Sequence, residues 1–248
     1  MIVLTYIEGH VLSDLSVTPS VIQELGNLSG KLNIRMQSFS DSGALDYDSI
    51  WKLSQIGQLQ GLIHYAPSEK LRTLASKIIS EFNLLVMTRV QEFQTGLIHH
   101  DMGLQNIVMR RNDTNSTWQV AAILDFGDVC TSCYVFEVAI LISNMFMNEL
   151  SRSFTTDKMA STRDMVLESY TSVMPLSATE KSVLDICIVA RILQCSLLGE
   201  KARESDPGNV YIGNYICWGF LDKLDGETKI SIRQDDEEAK TLLIPNNV

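Results

Sequence analysis

Two short stretches hold residues whose types and spacing could do chemistry. Leu97-Ile-His-His-Asp-Met-Gly-Leu-Gln-Asn-Ile-Val108 sets His99, Asp101 and Asn106 in the pattern H-x-D-x-x-x-x-N, and Ile123-Leu-Asp-Phe-Gly-Asp128 sets Asp125 in D-F-G. Transfer of a phosphoryl group from a nucleotide needs few protein parts. One carboxylate orients the attacking hydroxyl and takes its proton, while an amide oxygen and a second carboxylate hold magnesium against the phosphates. Asp101, Asn106 and Asp125 supply those three groups in that order. Either motif alone would be weak, since H-x-D occurs in ordinary loops and D-F-G in ordinary turns. Together, each following an apolar strand-like run, they are specific.

The neighbouring polar residues sort into supporting roles. His99 is expected to brace the loop backbone rather than act chemically. Glu137 falls in an apolar stretch, where an unpaired charge is costly, so it is expected to accept hydrogen bonds from the catalytic-loop backbone. Asp128 is a further candidate, either for the metal surroundings or as a cap. His100, between the two key residues, is expected to point away, and His10 and His64 have no sequence partners. Trp51, Trp118 and Trp218 read as core or interface residues. Cys130-Thr-Ser-Cys133 is a lone C-x-x-C with no second pair or nearby histidines, so loop thiols are expected there rather than zinc.

These residues need elements to position them. A β-branched run, Ile2 to Ile7, reads as a strand stopped by Glu8-Gly9. Thr18 before Pro19 marks a helix start, and apolar residues recur at helical spacing through Gln37. Phe39 to Asp48 reads as a polar loop, Tyr47 to Gln58 as a short helix, and Pro67 to about Phe93 as a long one. Gly96 to Ile98 is a brief strand entering the first motif. Ile107–Met109 and Gln119–Leu124 form a hairpin ending at the second. Helices are expected over 134–150, 161–173, 178–204 and 209–224, followed by an acidic flexible tail, 231–248.

The motifs resemble those of the aminoglycoside phosphotransferase and choline kinase-like family. Val3-Leu-Thr-Tyr-Ile-Glu-Gly9 resembles the family's hinge, Ile98 to Asn106 its catalytic loop, Ile123 to Asp128 its metal loop, and Tyr134-Val-Phe-Glu-Val-Ala139 the helix that follows. The resemblance implies an α+β, protein-kinase-like fold: a mainly helical C-terminal lobe with a small β-hairpin. It implies that the backbone of Leu4, Thr5 and Tyr6 receives the purine, and that Mg2+ is the cofactor with GTP or ATP as donor. The acceptor it implies is the hydroxyl of an amino alcohol, with 5-hydroxy-L-lysine and GTP matching the nearest members. Gly103, where protein kinases carry a lysine, and the lack of an A-P-E segment favour a small-molecule acceptor.

The chain also departs from that pattern. His100 stands where the family has glycine, so an unusual backbone angle is expected there. The glycine-rich loop and phosphate-binding lysine of an N-terminal β lobe are missing upstream. Residues 1–9 therefore read as a hinge remnant and 10–230 as the helical lobe. The alternative reading is a truncated, catalytically inactive kinase-like protein with a binding or regulatory role. Choline, an aminoglycoside or a sugar alcohol are alternative acceptors, with Glu168, Asp185 and Glu200 as candidates to receive an ammonium group.

Composition sets the outer limits. The 248 residues are 45% hydrophobic and 20% charged, which fits a folded core and argues against disorder. A net charge of −10 disfavours nucleic acid and anionic membrane as partners. Five cysteines and no signal peptide suggest reduced thiols and a cytoplasmic protein. Oligomeric state is not legible.

Overall fold

The computed structural model describes residues 5–39, 48–112, 114, 117–149, 155–213 and 215–227. Leu4 of the expected hinge, most of the polar loop 39–48, the 150 end of the helix after D-F-G and the acidic tail 231–248 lie outside the described residues.

Apart from three-residue 3-10 turns, elements run in the order β1 (His10–Val11), α1 (Pro19–Met36), a 3-10 helix (Leu53–Tyr65), α2 (Glu69–Leu85), a second 3-10 helix (Met87–Glu92), β2 (Thr95–Ile98), β3 (Ile107–Arg111), β4 (Trp118–Ile123) and β5 (Cys130–Cys133). Six helices follow among the described residues: α3 (Tyr134–Glu149), α4 (Thr156–Thr171), α5 (Ala178–Ser182), α6 (Leu184–Ser205), α7 (Val210–Gly213) and α8 (Trp218–Glu227). The strands form two antiparallel sheets among the described residues, ordered β1-β3-β4 and β2-β5. This is the α+β arrangement expected, mainly helical with a small hairpin.

Helix starts follow from their caps. The Thr18 hydroxyl accepts the Val21 N–H at 3.4 Å, and Pro19 takes the first turn, where no N–H is needed. Ser68 caps α2 in the same way. At α5, Ser177 and Glu180 form a reciprocal capping box. The core is built on α3 and α6, which are apolar on nearly every face and therefore surrounded on all sides. Against this core α1 crosses α4 closely. A methyl group added at Gly26 would lie 2.7 Å from the Val166 carbonyl oxygen, so only glycine fits there.

Several expectations are corrected. The strand expected at Ile2–Ile7 is absent over Thr5–Ile7; among the described residues strand pairing begins at His10, opposite Met109. Gly9 is where the chain closes on β3, since a side chain there would meet Met109 and Val108 at 2.5 Å. The short helix expected over 47–58 is a 3-10 helix over Leu53–Tyr65. Its buried residues, Leu53, Ile56 and Leu59, recur every third position, the period of a 3-10 turn rather than an α-turn. The long helix expected to Phe93 stops at Leu85 and passes into the second 3-10 helix. The helix expected over 178–204 breaks at Val183, and that over 209–224 is not helical at Tyr215–Cys217. Cys130 to Cys133 is a strand, not a loop, and both thiols are buried. Its small polar residues carry no alternation that a strand reading could use.

The sheets place the two motifs side by side. β2 runs into the catalytic loop, the β3-β4 hairpin runs into the metal loop, and β5 returns to pair Cys130 with Ile98. A buried polar strut holds β2 in depth: Asn33 on α1 donates to the Leu97 carbonyl at 3.3 Å and accepts from the Tyr170 hydroxyl at 2.9 Å.

Candidate active site

His99 follows the fully buried Ile98 and is itself fully buried. Its Nδ1 accepts the Asp101 N–H at 3.3 Å, and its Nε2 lies 2.9 Å from the Leu124 carbonyl. The first contact makes Nδ1 an acceptor, so Nε2 carries the proton and donates to Leu124. Burial lowers the His99 pKa, opposed by the Leu124 carbonyl and by Asp101, Asp125 and Asp128. The histidine ring thus contacts the backbone of both motifs.

His100 adopts φ 68° in the left-handed region, as expected for a side chain in a glycine position. It is 1% exposed. Its main-chain N–H donates to Glu137 Oε2 at 2.9 Å, and its own Nε2 has no hydrogen-bond partner. Burial, then the charges of Arg191 and Lys52, push its pKa down to about 3. Glu137 thus accepts a main-chain N–H of the loop that holds Asp101. Complete burial pushes its pKa up to about 7, against the pull of the His100 and His99 main-chain N–H groups.

Asp101 and Asn106 are in direct contact. The Asn106 Nδ2 donates to Asp101 Oδ2 at 2.8 Å and to the Asp101 carbonyl at 3.0 Å. With its nitrogen committed, the Asn106 amide oxygen is the atom left for a cation. Burial raises the Asp101 pKa, while Arg191 and the Asn106 hydrogen bond pull it down.

Asp125 also lies in the left-handed region, at φ 60°, and Oδ1 accepts the Gly127 N–H at 3.3 Å. Its carboxylate is exposed. The residue before it is held twice: the Leu124 N–H donates to the Asn106 carbonyl at 2.8 Å, and its carbonyl takes the His99 bond. The Phe126 ring packs on the His99 ring at 4.8 Å between centroids. The two loops are therefore joined at both the N–H and the carbonyl of Leu124, the first by a main-chain bond and the second by the His99 side chain. Asp128 is half-buried at the end of the same turn, and its charge raises the Asp101 pKa.

The donor set fits magnesium. Asn106 and Asp125 offer hard oxygen atoms, and magnesium takes one or two carboxylates with water and phosphate completing its octahedron. Among the described residues no cluster of three histidine, cysteine, aspartate or glutamate side chains could hold a metal by itself. Thr5 and Tyr6 are exposed, Tyr6 to 85%, and neither joins the hydrogen-bonded cluster around Asp101. Asp185 is bound by Arg163 at 3.0 Å, Glu200 is paired with Arg203 and with the Trp218 Nε1, and Glu168 sits on an exposed face of α4.

One site residue escaped the sequence reading. Arg191 on α6 is buried, and its Nη2 lies 3.9 Å from Asp101 Oδ1. The available signal was an arginine centred in the apolar run from Leu184 to Leu198, where a charge is costly without a purpose.

Residues 1–175 match the model of the phosphotransferase enzyme family. The chain belongs to this family. It is 27% identical over 212 residues to hydroxylysine kinase from Bos taurus and 26% identical over 212 residues to that from Mus musculus, covering 83% of this chain and 54% of each relative. It thus spans about half the length of the curated relatives it matches. Among solved structures it resembles the microcompartment-associated aminopropanol kinase (TM-score 0.66, 15% identity, covering 89% of this chain and 67% of the other). An aminoglycoside phosphotransferase from Alicyclobacillus acidocaldarius is similar at TM-score 0.61 and 12% identity, covering 93% and 70%. These likenesses establish the protein-kinase-like fold for this phosphotransferase family member.

Proposed function

We propose that this chain carries the catalytic and metal-binding residues of a small-molecule kinase. It would move the γ-phosphoryl group of GTP or ATP to the side-chain hydroxyl of an amino alcohol, with 5-hydroxy-L-lysine as first candidate. The observation that carries the reading is the Asp101–Asn106 contact at 2.8 Å, with Leu124 tying Asp125's loop to Asn106 directly and to Asp101 through His99. Likeness to the hydroxylysine kinases supports the acceptor.

In this reading Asp101 holds the acceptor hydroxyl and takes its proton as the oxygen meets phosphorus. Burial makes Asp101 the better proton acceptor, while Asn106 and Arg191 favour its ionised form. Asn106 and Asp125 would hold magnesium, which neutralises charge on the phosphates. His99 and Glu137 fix the loop backbone, so the carboxylate's direction is set before substrate arrives.

Asp101→Asn should lower turnover of 5-hydroxy-L-lysine with GTP and magnesium by about 10²- to 10⁴-fold, with an unchanged circular-dichroism spectrum. Full retained turnover would remove Asp101 as the base.

A further inference from the structure

Arg191 is 5% exposed, and a guanidinium at that depth is unfavourable unless its donors are met. They are met on one side only. Its Nη1 donates to the Trp51 carbonyl at 3.0 Å and to Gln194 Oε1 at 2.8 Å. Gln194 is itself fixed, because its Nε2 donates to the Ile50 carbonyl at 2.8 Å. The Trp51 ring lies 5.7 Å from the guanidinium carbon and covers it.

The other edge of the fork has no such partners. Nε is buried without a hydrogen bond, and Nη2 stands 3.9 Å from Asp101 Oδ1, beyond hydrogen-bonding distance. Nε and Nη2 together form the side-on edge that receives a carboxylate through two parallel bonds. Asp101 is poorly placed to close that edge itself. Its other oxygen is held by Asn106 at 2.8 Å, and swinging toward Arg191 would break that bond. The edge borders the carboxylate at which an acceptor hydroxyl must sit.

We propose that Arg191 is the receptor for a carboxylate on the phosphoryl acceptor, so that the site selects a hydroxylated amino acid over an amino alcohol lacking the acid group. The proposal rests on the phosphotransferase reading above for the location of the acceptor. Charge supports it from both directions. A fixed cation beside the base disfavours an acceptor whose charges are all ammonium. Asp185 and Glu200, which could have received such an ammonium, are already bound by Arg163 and Arg203.

Titration calorimetry compares 5-hydroxy-L-lysine with its decarboxylated counterpart, 1,5-diaminopentan-2-ol, which keeps the hydroxyl and both amines. The native chain should bind the amino acid at least tenfold more tightly, the scale of a charge-assisted bidentate contact. Arg191→Met should abolish that preference by weakening the amino acid alone. Arg191→Lys, which keeps the charge and loses the fork, should keep part of it and serves if the methionine variant fails to fold. Equal binding of the two ligands by the native chain, binding of neither, or an equal loss of both in Arg191→Met would overturn the proposal. Selective binding without phosphoryl transfer would fault the kinase reading and leave the carboxylate receptor standing.

Discussion

His100 and Glu137 are neighbours whose proton equilibria move in opposite directions. In the folded chain His100 titrates at about 3 rather than 6.5, so between those values the unfolded chain binds a proton that the folded one refuses. Stability from this group is present above about pH 6.5 and is lost as pH falls toward 3. Glu137 titrates at about 7 rather than 4.5, so the folded chain keeps a proton that the unfolded one has released. Its contribution is present below about pH 4.5 and is lost as pH rises through 7. Glu137→Gln should therefore gain on the native chain as pH climbs from 4.5 to 7.5, and His100→Gly should flatten the acid limb. Urea unfolding at steps across that range reads both, and parallel curves for variant and native chain would show that neither group titrates as described. At the same scale, Asp125→Asn should weaken the magnesium-dependent part of nucleotide binding by more than about tenfold while leaving acceptor binding unchanged, as read by calorimetry with and without the metal. The motif residues were legible because their chemistry fixes their spacing. Arg191 was not, because what pairs it with Asp101 is the packing of α6 against the catalytic loop, and no sequence spacing expresses that.

At the scale of elements, close approach between helices gives a paired test. Gly26→Ala would drive a methyl group to within 2.7 Å of the Val166 carbonyl oxygen and 3.0 Å of the Ser169 Cβ. Backbone cannot yield as a flexible side chain can, so a loss of about 1–3 kcal/mol is expected, read as a fall in the denaturation midpoint. Gly61→Ala in the first 3-10 helix meets nothing within 4 Å and should be neutral or stabilising by up to about 1 kcal/mol. Equal effects would mean that α1 and α4 do not cross as described. Helix starts were readable from Thr18 and Pro67, and the hairpin from its apolar runs around a polar turn. The 3-10 helix was misread because Ile50, Leu53 and Ile56 also satisfy part of an α-helical stripe, and the continuation to Leu59 at every third residue separates the two. β5 was invisible because its neighbour β2, not its own composition, makes it a strand.

For the molecule as a whole, the thiols report on integrity. All five cysteines are buried and unpaired with one another. Burial raises each pKa, Cys130 to about 11 and Cys133 and Cys217 to about 12, with Cys187 and Cys195 also raised. A thiol-specific reagent at pH 8 should find almost no thiolate in the folded chain and label all five together on unfolding. Rapid labelling of a single cysteine in native conditions would locate a region that opens by itself. Reduced thiols were expected from their odd number, whereas their placement inside the core became evident only with the helices in position.

Leu124 is clasped by Asn106 through its N–H and by His99 through its carbonyl, and His99 in turn holds the Asp101 N–H. Neither loop can swing out while the other stays closed without breaking this chain of bonds. Deuterium should consequently enter the amides of Asp101 and Leu124 at matched rates and with the same denaturant dependence, as one cooperative opening. Replacing His99 with alanine should uncouple them, leaving the two stretches to breathe at different frequencies.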